Sequence, residues 1–218
     1  MNFFDKYKWY ILGGIGLVGL GTIGAFLYTF FKFKNPKTIL FLGDSISTGE
    51  TTYPAKIKKE RPDLDIDIVA QGGKTTDWML DRLKEQLSQK KYDRVYVYGG
   101  INDAFNTKKP EDIYKNLQEM VNLVDKQGGY TFILKGYLPN DEYLAVDNMK
   151  PTRYVTTKEA YIPLINNYIT FQENVEKNVK KAHFIERFDL GNTTSDGTHP
   201  NGTGQNMIKE IVLKTLPK

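Results

Sequence analysis

The sequence predicts an α/β fold: a three-layer α/β/α sandwich around a five-stranded, mainly parallel sheet. Three observations point there. From about residue 38 onward, short apolar runs alternate strictly with amphipathic stretches of helical length. The first run, Thr38 to Leu42, is almost continuously apolar, as a strand covered on both faces must be. Several runs also end in glycine followed by small polar residues, the composition of loops at the carboxyl edge of such a sheet. Right-handed crossovers then reduce the topologies to a doubly wound one.

Taken in order, the first strand covers 38–43 and is broken by Gly43. A helix follows near Pro54–Glu60. The second strand is Leu64–Ala70, with apolar residues alternating with Asp65 and Asp67. Asp77–Gln89 reads as an amphipathic helix, with Trp78, Leu80, Leu83 and Leu87 on or near one face. The third strand is Arg94–Tyr98, stopped by Gly99 and Gly100. Pro110 and Glu111 open a helix to Gln127, and Gly128 with Gly129 closes it. The fourth strand is Tyr130–Gly136. The irregular stretch 137–157 is longer than most connections in such domains, and long loops at this edge often carry function. Its Tyr137, Asn140, Tyr143, Arg153 and Tyr154 suit stacking on, and hydrogen bonding to, a carbohydrate; a solvated excursion with no role is the competing reading. A helix over 158–181, a fifth strand at His183–Arg187 and a last helix at Gly204–Leu216 complete the chain. There is no internal repeat.

Composition narrows the classes. The chain has 218 residues, 40% of them hydrophobic, enough for one core and an appendage. It has no cysteine, hence no disulfide, thiol nucleophile or cysteine metal site. Lys6, Lys8, Lys32 and Lys34 against Asp5 place three of the four net positive charges in the first 34 residues. No basic run with interleaved aromatics occurs, so no nucleic-acid partner is expected.

Trp9 to Phe31 is 23 residues without a charge, long enough to cross a bilayer as a helix. Trp9 and Tyr10 at one end, and Tyr28, Phe30 and Phe31 at the other, suit interface anchoring, with lysines beyond both. Six glycines in its middle would weaken a helix in water and are better tolerated in lipid. Residues 1–34 are therefore expected to be a membrane anchor with its flanks, and 35–218 the second domain. Gly13, Gly16 and Gly19, and Gly21 with Ala25, give the anchor a small-residue face on which copies could associate. The lysine count leans slightly toward a cytoplasmic C-terminal side.

Asp44 and Ser45 stand where the first strand hands over to a helix. A serine there is exposed at the carboxyl edge, the place for a nucleophile, although a turn with a helix cap explains the same residues. Of two histidines, His183 sits at the approach to the fifth strand, where a core or edge role is expected. His199 lies in the loop after that strand. Asp196, three residues earlier, could hold one imidazole nitrogen and leave the other to take the Ser45 proton. The competing reading is a cap for the last helix. Acyl transfer also needs donors aimed at a developing oxyanion. Gly72-Gly73 after the second strand and Asn102 after the third can supply a backbone and a side-chain amide.

These residues resemble the SGNH/GDSL hydrolases over about 38–215. The first block of that family appears as Gly43-Asp44-Ser45. The second contributes an oxyanion glycine, placed at Gly73, although Ala70-Gln71 stands where members often carry Asn. The third is Gly100-Ile101-Asn102-Asp103, and the fifth Asp196-Gly197-Thr198-His199-Pro200. The resemblance implies a flavodoxin-like serine esterase fold without metal or other cofactor. It implies a catalytic Ser45, Asp196 and His199, and an oxyanion hole from Ser45, Gly73 and Asn102. Asp44 and Asp103, beside those residues, join Tyr137 and Tyr154 as the expected substrate-binding set. The implied substrates are short-acyl esters, such as O-acetyl groups on glycans, or lysophospholipid-type esters. A substrate at the cell envelope fits an anchored hydrolase domain close to the bilayer on its extracytoplasmic side.

Rival chemistries fail on spacing or economy. Gly73-Lys74-Thr75 ends like a phosphate-binding loop, but the first glycine would fall at Ile68. The elbow G-x-S-x-G fails because position 47 is Ser47. Asp44 and Asp103 could be a glycosidase pair, but each has a simpler role in shaping its loop. A thioesterase-type lipid hydrolase, acyl transfer in place of hydrolysis, and a non-catalytic tethered binding protein on the same scaffold stay open.

Overall fold

A computed structural model describes residues 38–137, 158–190, 193–195 and 198–217. Its strands are β1 (Thr38–Gly43), β2 (Asp65–Ala70), β3 (Arg94–Tyr98), β4 (Tyr130–Leu134) and β5 (His183–Ile185). The helices are α1 (Tyr53–Glu60), α2 (Thr76–Gln89), α3 (Ile101–Phe105), α4 (Pro110–Lys126), α5 (Lys158–Asn178) and α6 (Gly202–Leu213). All strand pairs are parallel, in the order β2-β1-β3-β4-β5. The chain reverses its direction of winding between β1 and β3, and the crevice outside a doubly wound sheet opens at that switch point.

Alternation of side chains along each strand builds the three layers. Leu40, Leu42, Val95, Val97 and Ile133 pack against α2, α4 and α5 on one face. Ile39, Phe41, Tyr96, Tyr98, Leu134 and Ile185 pack against α1 and α6 on the other. Full burial of each such side chain stabilises the fold by about 1.5–3 kcal/mol. On the α1/α6 face the register aligns Phe41, Tyr96, Phe132 and His183. Their rings stack in sequence, with centroids 5.1, 4.8 and 4.8 Å apart. His183 thus has the edge role its position suggested.

Several boundaries differ from expectation. The helix before β5 ends at Asn178, because Lys181 adopts φ 63° and redirects the chain. The Lys180 N–H is taken by Gln118 Oε1 at 2.7 Å. β4 and β5 stop at Leu134 and Ile185, where their pairing ends. The stretch after β3, expected as loop, opens directly into α3. Among the described residues no helix is long and apolar enough to cross a membrane. The uncharged run 9–31 lies outside the described residues.

Candidate active site

Strand register brings the loops together. Gly43 pairs with Ala70 on one side and Tyr98 on the other. Strands β2, β1 and β3 therefore end level, and the loops beginning at Asp44, Gln71 and Gly99 emerge side by side.

The loop after β1 folds back on itself. The Ser47 N–H donates to the Asp44 carbonyl (3.1 Å), and the Thr48 hydroxyl donates to the same oxygen (2.8 Å). Ser47 is thereby laid over Gly43, where a Cβ would meet Ser47 Cβ at 2.8 Å and the Tyr98 carbonyl at 3.2 Å. Only glycine leaves room for this turn. Ile46 and Ser47 are buried, and Ser45 between Asp44 and Ile46 keeps part of its surface in solvent.

The segment carrying His199 is closed by its own backbone. The Ser195 N–H donates to the His199 carbonyl (2.8 Å), the Asn201 N–H donates to Thr193 (2.8 Å), and Thr194 bridges Pro200. His199 Nε2 and Ser45 Oγ are 2.9 Å apart across 154 residues of sequence. With its proton on Nδ1, the imidazole accepts the serine hydroxyl proton, which is the geometry a general base needs. Asp196 and Tyr154 lie outside the described residues.

The loop after β2 makes a turn in which the Lys74 N–H donates to the Gln71 carbonyl (3.4 Å). Gly73, the third residue of that turn, has φ 73°, a left-handed conformation that glycine adopts without steric cost. Gly72 lies close to Ser45: a Cβ there would lie 3.7 Å from Ser45 Cβ. Both glycines are exposed.

Asn102, half-buried in α3, lies beside the loop that follows β1. Its Nδ2 donates to Asp44 Oδ2 (3.2 Å) and to the Lys74 carbonyl (3.1 Å). The two protons of the carboxamide are thus engaged within the protein. A developing oxyanion could displace the Lys74 carbonyl, since a charged acceptor makes the stronger hydrogen bond.

Three expected substrate contacts are instead interior groups. Asp44 is fully buried, accepting from the Ile46 N–H (3.0 Å) and Asn102. Burial raises its carboxyl to about 7, opposed by the Ile46 hydrogen bond and the nearby His199. Asp103 is also fully buried. It accepts from the Thr76 N–H (2.9 Å) and hydroxyl (2.6 Å) and pairs with Lys108 (3.3 Å). It thus caps α2 from helix α3, where the side chain of Thr75 forms no cap. Tyr137 is 3% exposed, and its ring packs against Phe188 (6.2 Å between centroids) in the α1/α6 core. These side chains support the crevice from below and present no surface to a ligand. Among the described residues there is no group of three His, Asp or Glu able to hold a metal ion.

Comparison with known proteins bears on this geometry. The family model described as GDSL-like Lipase/Acylhydrolase family matches residues 41–207. No curated protein matches the sequence. Among solved structures, TesA is similar at 23% identity and TM-score 0.56, covering 82% of this chain and 97% of that one. The psychrotrophic esterase EstA from Pseudoalteromonas sp., inhibited by monoethylphosphonate, is similar at 20% identity and TM-score 0.55, covering 82% and 95%. A catalytic mutant of an acetylxylan esterase from Geobacillus stearothermophilus is similar at 16% identity and TM-score 0.60, covering 84% and 95%. At these identities the likeness is one of fold.

Proposed function

The chain belongs to the GDSL-like lipase/acylhydrolase family and is an ester-bond hydrolase, and from that premise we propose that it is a serine esterase of short-acyl esters. One observation carries the reading: Ser45 Oγ and His199 Nε2, remote in sequence, stand 2.9 Å apart at the switch point. In this reaction His199 takes the proton of Ser45 as its oxygen attacks the ester carbonyl. Asp196 orients the imidazole and stabilises its charged form. The oxyanion is held by the backbone amides of Ser45 and Gly73 and by Asn102, which turns one proton from the Lys74 carbonyl toward it. His199 then protonates the departing alcohol. Water, activated by the same imidazole, releases the acyl group and regenerates Ser45.

The substrate proposed is an O-acetyl group on an envelope or surface glycan. The polar and aromatic composition of 138–157, including Asn140, Tyr143 and Arg153, supports a sugar. The acetylxylan esterase of similar fold is consistent with it. Residues 9–31 are proposed to anchor the domain to a membrane, on its extracytoplasmic side and close to the bilayer. The second reading is a lysophospholipid- or thioester-type lipid hydrolase, which the same anchor would serve.

Turnover by the full chain of p-nitrophenyl acetate, butyrate, octanoate and laurate, beside acetylated xylan and a lysophospholipid, tests both. Highest kcat/KM on acetate with deacetylation of xylan supports the glycan reading. A rise with chain length and release of fatty acid from the lysophospholipid overturns it in favour of the lipid one.

A further inference from the structure

We propose that Gln205 is a positioning residue that holds Ser45 and His199 at hydrogen-bonding distance. The inference rests on the serine-esterase reading and adds to it a residue outside the reacting set. Gln205 lies in the first turn of α6 and is 6% exposed. Its Oε1 accepts the Tyr53 N–H at 2.7 Å. That donor belongs to the first residue of α1, whose N-terminal amides have no partner within their own helix. Its Nε2 donates to the carbonyl of Ile46, the residue after Ser45, at 3.0 Å. One buried carboxamide therefore grips both ends of the segment between Ser45 and α1.

On its own side Gln205 is tied to the histidine loop. Its N–H donates to the Asn201 carbonyl (2.8 Å). The Asn201 side chain caps α6 by accepting from the N–H groups of Thr203 (2.9 Å) and Gly204 (3.1 Å). Gly204 sits so tightly against Pro200 that a Cβ would come within 2.9 Å of the proline Cβ. The path from Ile46 to His199 is short: hydrogen bonds join Ile46 to Gln205 and Gln205 to Asn201, and the backbone through Pro200 joins Asn201 to His199. The exposed bonds from Lys56 to Gly202 and Asn206 join the same helices through a flexible side chain in solvent. Such a surface contact fixes geometry weakly, whereas a satisfied buried polar group is rigid.

A displacement of about 1 Å between reacting groups can lower the rate about 100-fold. Gln205→Leu keeps the side chain's approximate volume and removes both bonds. The expected result is a 10- to 100-fold loss in kcat on p-nitrophenyl acetate, with KM within twofold. Modification of Ser45 by a fluorophosphonate should slow by the same factor. Val212→Ala, in the buried part of α6, should lower Tm and leave kcat unchanged. Gln205→Glu separates positioning from packing. Its carboxylate can accept from Tyr53 but opposes the Ile46 carbonyl, and protonation restores a donor. The ratio of its kcat to wild type, measured where both are folded, should rise as pH falls from 8 to 5. If Gln205→Leu fails to fold, this ratio decides: a rise supports positioning and a flat ratio overturns it. A Gln205→Leu kcat within twofold of wild type, with Ser45→Ala inactive, reduces Gln205 to packing. Full activity in Ser45→Ala would instead overturn the esterase mechanism itself.

Discussion

Asn102 Nδ2 donates to the fully buried carboxylate of Asp44, 3.2 Å away, joining the residue before Ser45 to the helix after β3. Charge on Asp44 is therefore buried beneath the crevice. An unfolded aspartate ionises near 4, and here burial raises the carboxyl to about 7. Below pH 4 both states are protonated and this group's stabilising contribution is complete. As pH rises, the unfolded chain loses its proton first, and the contribution is lost through pH 7. Asp44→Asn cannot ionise, so its stability relative to wild type should increase between pH 4 and 7, by on the order of 4 kcal/mol. Urea unfolding of both proteins across that range measures it. A pH-independent difference contradicts the assignment.

The glycines around Ser45 separate fold from chemistry. Gly43→Ala forces a methyl against Ser47 and should cost about 1–3 kcal/mol while displacing Ser45. Gly73→Ala places a side chain at φ 73° and should cost about 1–2 kcal/mol. Gly72→Ala meets only Ser45 Cβ, at 3.7 Å, and should change stability by less than about 0.5 kcal/mol. Its methyl stands over the proposed nucleophile, so kcat/KM should fall. Thermal melts beside kinetics on the three variants check this; an unstable but fully active Gly72→Ala would reverse the picture.

In the proposed mechanism, Asn102→Ala removes a donor from a charge that is fully developed only near the transition state. Loss of one such donor typically lowers kcat by about 10²–10³, roughly 3–4 kcal/mol. KM should change much less, because the ground-state ester gains little from it. A variant that chiefly raises KM would make Asn102 a substrate-binding residue and leave the oxyanion to backbone amides.

The alternation of apolar runs and helices made all five strands and the layer order legible. The pairing of Ser45 with His199 was legible because each sits in a short polar run between a strand and a helix. What the sequence could not express was depth. Asp44 and Asp103 read as crevice-facing because a carboxylate at the end of a strand looks the same whether it points outward or beneath the loop. Burial of Asp103 depends on the Thr76 N–H, which the first residue of α2 supplies. Tyr137 read as a sugar platform, but its ring meets Phe188, which is 51 residues later in the sequence and follows β5. The five-residue α3 is too short to show a helical period. Gln205 was missed because one polar residue on an amphipathic helix looks solvated until the partner helix is in place.

The central claim is that Ser45 is the nucleophile activated by His199. Treatment of the full chain with a fluorophosphonate, followed by peptide mapping, tests it most directly. The adduct should map to Ser45, be absent in Ser45→Ala, and form at least 100-fold more slowly in His199→Ala. An adduct on another serine, or equal labelling of the His199 variant, contradicts the account.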